Sequence, residues 1–210
     1  MIFAIITHVP HLFEGNQYFA YAPYVREMNI WTKQVEKLII VAPKSTFLKS
    51  AIECAYEHLN IEFIAIENFD ILRLKNLFRA VFKTPKISWQ IFQAMKKADH
   101  IHLRCPGNIG LLGCFVQILF PQKNKTAKYA GNWDPKSKQP WTYKMQKWIL
   151  SNTFLTRNIH VLVYGEWEGS SKNIKPFFTA SYKEADKVPL VQKGLKGKIV
   201  FYFCRSIGTG

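Results

Sequence analysis

The sequence predicts an α/β protein built on a Rossmann-like, doubly wound parallel sheet. Three observations carry that expectation. Apolar, β-branched runs of strand length recur along the chain, and segments with helical apolar spacing separate them. Three of the runs also end in polar loops, at residues 8–15, 104–108 and 131–134. Ligands of a parallel α/β sheet bind just beyond the carboxyl ends of its strands, so three such ends mark a binding crevice.

Met1 to Thr7 is the first strand, and His8-Val-Pro-His-Leu-Phe-Glu-Gly15 is the loop after it. Residues 17–34 read as a helix that kinks or starts late at Pro23. Lys37 to Ala42 is a second buried strand, stopped by Pro43; a helix near 47–58 then leads to a third strand, Ile61 to Ile66. Ile71, Leu74, Phe78, Val81 and Phe82 fall at helical spacing, and Ile87, Ile91, Phe92 and Met95 mark a second helix over 87–97. Asp99 to Cys105 is the fourth strand. The apolar run Ile109 to Phe120 after it reads as a core helix, too short to span a bilayer. A fifth strand near 126–130, a polar loop over 131–141 and a helix over 142–155 follow. The sixth strand, Ile159 to Tyr164, ends in Gly165-Glu-Trp-Glu168. The expected organisation is therefore an α/β domain over 1–167, a basic, turn-rich connector over 168–197, and a last strand over 198–210 that opens a truncated second domain.

The 210 residues are 48% hydrophobic, which supports a substantial core and excludes a disordered chain. Cys54, Cys105, Cys114 and Cys204 lack zinc-site spacing and read as reduced thiols of a cytosolic protein. The amino terminus has no basic region ahead of its apolar run, so no signal peptide is read there. The formal charge of +15 is uneven: residues 1–70 sum to −3 and residues 71–210 to +18. Residues 71–98 alone hold seven Lys/Arg and no acid, and Lys123, Lys125, Lys128, Lys136 and Lys138 follow. Such a balance points to an anionic partner (phosphates, an anionic membrane surface or nucleic acid), with a plain basic surface as the competing reading. No nucleic-acid motif accompanies it, and the aromatics sit within apolar periodic runs, so nucleic acid is not expected.

The segments YAPYVREMNIW (21–31), HLRCPGNIGLLG (102–113) and KYAGNWDP (128–135) resemble the N-terminal, acceptor-side domain of a GT-B glycosyltransferase of the family-4 type. The run from Lys198 to Phe203 is similar to the strand that opens the second domain of that fold. The resemblance implies a retaining, nucleotide-sugar-dependent enzyme of surface polysaccharide or lipid-linked glycan synthesis, peripheral on the inner membrane face. It implies no cofactor beyond the nucleotide diphosphate sugar as donor substrate, and no metal. Arg104, Asn108 and Trp133 would bind the sugar or lipid-linked acceptor, with Arg104 on an anionic group. Gly15 would approach the donor diphosphate, and His8 and Asn132 would serve catalysis. Ordinary structural roles compete with these: a turn at Gly15, a loop histidine at His8, and an Arg104–Asp134 ion pair. His100 and His102, two apart on a strand, read as structural. The donor-binding half would be missing, which leaves a non-catalytic subunit acting with a separate donor-binding chain, or an inactive remnant, as the other reading.

Overall fold

A computed structural model describes residues 1–67 and 74–178, with residues 74–83 described by backbone alone. Residues 71–73 of the expected helix, the expected strand over 198–203, Cys204 and the connector beyond 178 lie outside the described residues.

Seven strands form one sheet: β1 (Ile2–Ile6), β4 (Lys37–Pro43), β6 (Ile61–Ile66), β7 (His100–Cys105), β8 (Asn124–Tyr129), β9 (Ile159–Val163) and β10 (Ile174–Pro176). Their order is β10-β9-β8-β7-β1-β4-β6, and every pairing is parallel. The chain thus winds outward from β1 in one direction, returns, and winds outward from β7 in the other. This reversal is the topological hallmark of Rossmann-like folds.

Alternation along β1 divides two cores. Phe3 and Ile5 pack with Tyr24, Val25 and Met28 of α1 (Ala22–Trp31), whereas Ala4 and Ile6 pack on the opposite face. That opposite face is covered by α2 (Leu74–Lys97), α3 (Asn108–Val116) and α4 (Trp141–Ser151), with α3 packed between the other two. Among the described residues no helix is long and apolar enough to cross a membrane.

Several elements differ from the expectation. Residues 17–21 form a strand, β3 (Gln17–Tyr21), and α1 begins only at Ala22 with Pro23 in its first turn, where a missing N–H costs nothing. The helix expected near 47–58 is absent; β5 (Glu53–Ala55) instead pairs antiparallel with β3, which pairs with β2 (Leu12–Glu14). The two expected helices over 71–97 are one helix that runs through Pro85. β10 extends the main sheet into the stretch read as a connector, so the α/β unit does not stop at residue 167. The core helix after β7 is shorter than expected, and a 3₁₀ turn over Gln117–Leu119 completes it.

Two lysines close helix ends from inside the fold. Lys123 Nζ donates to the carbonyls of Met95, Lys96 and Ala98 at the end of α2. The buried Lys125 Nζ donates to Phe120 O at 2.8 Å, below α3. At the edge strand β6, Glu62 lies 2.6 Å from both Lys37 and Lys97, and these partners hold its carboxyl below its ordinary pKa.

The seat of α3 depends on glycine. A Cβ at Gly110 would stand 2.7 Å from the Arg104 carbonyl, and one at Gly113 would stand 3.0 Å from Leu103 and 3.3 Å from Ile6. Gly110→Ala is expected to destabilise the fold by about 2–3 kcal/mol despite alanine's better helix propensity. Urea unfolding measures this, and an equal or raised midpoint would refute it.

Two buried imidazoles are neutral. His11 accepts from the Tyr56 hydroxyl at Nε2 and donates to Val9 O at Nδ1, both at 2.8 Å, and burial lowers its pKa to about 4. His102 bonds Thr126 Oγ1 at 2.8 Å, and burial, aided by Arg104, lowers its pKa to about 3. An unfolded histidine titrates near 6.5. As pH falls below that value the unfolded chain gains protons that the folded chain refuses, so stability falls. Each imidazole is expected to contribute a loss of roughly 1.4 kcal/mol per pH unit down toward pH 4. Urea midpoints that stay level between pH 7 and 4.5 would contradict this.

Candidate functional site

The strand order reverses between β1 and β7, and a cluster of charged groups gathers at their carboxyl ends. His8 follows β1, and Arg104 is the penultimate residue of β7. Lys128 of β8 is the register partner of Arg104, so the two side chains leave the sheet on the same face. Facing them from α1 is Glu27. Its Oε2 lies 3.4 Å from Arg104 Nη1 and its Oε1 lies 3.8 Å from Lys128 Nζ.

All three charges are removed from water. The Arg104 side chain is 14% exposed, Glu27 5% and Lys128 0%. Aromatic rings complete the walls: Tyr24 lies under the Arg104 guanidinium at 5.3 Å, and Phe177 and Tyr164 lie 3.8 and 4.7 Å from Lys128 Nζ. Ring faces stabilise cations here without neutralising them. Among the described residues two cations stand beside one carboxylate on this face, and the Arg104 guanidinium is of a type that grips anions in a bidentate way.

His8 stands at the mouth, exposed on one side. The surrounding protein lowers its pKa, and the charge of Arg104 lowers it further, against a hydrogen bond to the Arg104 backbone. Neutral imidazole is therefore the form present at pH 7, able to accept a proton. Its ring lies so close to the β7–α3 turn that a Cβ at Gly107 would meet Nδ1 at 3.0 Å. Gly107 is the residue that allows this approach. The turn contains a cis Cys105–Pro106 bond, and Gln146 of α4 holds it by accepting from the Gly107 amide at 3.3 Å. Asn108 opens α3 directly after this turn, half-buried.

The remaining sequence candidates lie elsewhere or are occupied. Trp133 is 5% exposed and packs edge-on against Tyr129 at 4.9 Å, so its ring belongs to the core and cannot stack on an acceptor sugar. Asn132 is exposed, but its Oδ1 accepts from the Asp134 amide at 2.8 Å and shapes the loop. Gly15 and Asn16 are the two-residue turn of the β2–β3 hairpin, with φ of 54° and 64°. That turn type demands positive φ at both positions, which accounts for the glycine; a Cβ there would meet nothing within 4 Å. Arg104 pairs with Glu27 instead of Asp134. His100 and His102 share the Thr126 hydroxyl, in keeping with a structural role.

No family model and no curated protein matches this chain. Glu27 is the member that sequence reading passed over, and Lys128 enters that reading only as one of five lysines toward an anionic partner. Glu27 lies 77 residues from Arg104, and only the fold joins them. Lys128 sits in a strand of mixed polarity, Asn-Lys-Thr-Ala-Lys-Tyr, so no pattern marked its side chain as buried.

Burial lowers the Lys128 pKa to about 8; Glu27 opposes that shift and Arg104 adds to it. The lysine is thus charged at pH 7 and largely neutral at pH 9. Inorganic pyrophosphate, titrated calorimetrically at constant ionic strength, is expected to bind roughly three- to tenfold more weakly at pH 9 than at pH 7. Lys128→Met should remove most of that difference; a wild-type affinity that does not change with pH would argue against the crevice as an anion site.

Proposed function

We propose that this chain is the acceptor-side domain of a retaining, nucleotide-sugar-dependent glycosyltransferase of the GT-B type. Its acceptor is a glycan or lipid-linked glycan that carries an anionic group. The observation that carries the reading is the convergence of Arg104, Lys128 and Glu27 at the sheet's switch point, with His8 beside them. The strand order supports it, and so does the resemblance of residues 21–31, 102–113 and 128–135 to that fold's first domain.

In this reading Arg104 grips the acceptor's phosphate or carboxylate, and Lys128 adds charge from behind without contacting water. Asn108, at the start of α3, bonds sugar hydroxyls. His8, neutral at pH 7, accepts the proton of the attacking hydroxyl, or holds that hydroxyl while the departing diphosphate takes the proton. The bond formed joins the acceptor oxygen to the anomeric carbon, and the bond broken releases the nucleoside diphosphate. Donor recognition falls to a second domain or to a separate donor-binding chain.

Calorimetry with short-chain prenyl phosphates and sugar phosphates tests the acceptor role. Arg104→Gln is expected to weaken binding about tenfold or more, with the far-ultraviolet dichroism spectrum unchanged. Equal binding by the variant, or no binding by the wild type, overturns the reading.

A further inference from the structure

The outer surface of the α2–α3–α4 layer has a consistent chemistry. α4 buries Thr142, Gln146, Ile149 and Leu150 and turns Trp141, Lys144 and Trp148 outward, at i, i+3 and i+7. α2 repeats the pattern, burying Ile87, Ile91, Ala94 and Met95 and exposing Lys86, Trp89 and Lys96. The three indoles are 58%, 62% and 62% exposed at positions 141, 148 and 89. On α3, the helix between them, Phe115 is exposed as well. Single exposed apolar residues are ordinary, but three exposed tryptophans on one helical layer, alternating with lysine, form a patch.

The chain around that patch is mainly basic. Residues 84–168 hold twelve Lys/Arg against two Asp and two Glu. Both aspartates accept hydrogen bonds from backbone amides, Asp99 from Ile2 and Asp134 from Lys136. The lysines that stand out in sequence between 123 and 128 do not contribute: Lys123 and Lys125 close helix ends, and Lys128 belongs to the crevice. The exposed cations of this face are Lys86, Lys96 and Lys144, with Arg157 just beyond α4.

We propose that this face seats on an anionic lipid bilayer, with the tryptophans at headgroup depth and the lysines against lipid phosphates. Tryptophan is the side chain suited to such a boundary, because its body is apolar and its N–H needs a polar partner. Interfacial helices combine apolar rings with Lys/Arg in this way. A second copy would set like charge against like charge. The chain's own residues 179–210 hold six Lys/Arg against two acids, so charge does not draw them here either. Trp141 opens α4 at the carboxyl edge of the sheet, whereas Arg104, Lys128 and Glu27 lie on the α1 side, so the crevice lies across the sheet from the seated face. The proposal stands whether or not the crevice transfers sugar.

Cosedimentation of the full chain with vesicles of equal phosphatidylglycerol and phosphatidylcholine, against phosphatidylcholine alone, tests it at about 0.1 M salt. Binding is expected to be about tenfold or more tighter to the anionic vesicles, with a blue shift of tryptophan emission. The double variant Trp141→Ala/Trp148→Ala and the charge reversal Lys144→Glu should each remove most of that gain. Arg104→Gln should leave it intact, which separates this face from the acceptor site. Absent binding, equal binding to neutral vesicles, or full binding by Lys144→Glu overturns the proposal. So does displacement of the vesicles by single-stranded nucleic acid that requires the same tryptophans.

Discussion

The close seat of α3 on the ends of β1 and β7 is the constraint from which the site follows. Gly110 and Gly113 let the helix approach within side-chain-free distance of Arg104 O, Leu103 and Ile6. That approach sets the height of the Pro106–Gly107 turn, and the turn in turn sets the distance to His8. The same helix separates α2 from α4, so its position also spaces the outer layer. A single methyl group at residue 110 would therefore act on the crevice and on the helical face together.

The two faces of the sheet divide the electrostatics. On the α1 side, the polar side chains of β7 and β8 alternate toward one another: His100, His102 and Arg104 beside Thr126 and Lys128. Those groups hold protons in unusual states because water is excluded from them. On the other side the sheet turns mainly apolar residues to the core, with Lys125 buried below α3, and most cations lie beyond the helices in solvent. The strong positive charge of the sequence is thus two separate populations, one buried and few in number, one exposed. Composition adds them together; the fold assigns them to different tasks.

The six longer strands of the main sheet were legible because a parallel sheet buries both of its faces, which turns strands such as Lys37–Pro43 into unbroken apolar runs. The short strands were not. Leu12–Glu14, Glu53–Ala55 and Ile174–Pro176 have three residues each and are half-exposed, too brief for any period to register. Pro85 was read as a gap between helices, and the helix continues through it. Within the site, Arg104 and His8 were legible because they end strands, which a local reading can locate. Glu27 was not, because its role comes from a contact with a residue 77 positions away in the chain. Trp133 misled for a related reason: a loop position predicts exposure, but its ring turns inward onto Tyr129.

One feature of the edge bears on how this protein shares a crowded solution with its own copies. β6, Ile-Glu-Phe-Ile-Ala-Ile, is the outermost strand on its side among the described residues, and its sequence is that of a segment able to zip onto an identical neighbour. Glu62 is its only charge, and Lys37 and Lys97 anchor it. A second β6 brought alongside would have to pull a carboxylate away from both lysines and place it near another carboxylate. The ion triplet adds little to the folded state, but it acts as a gatekeeper against fibrillar stacking.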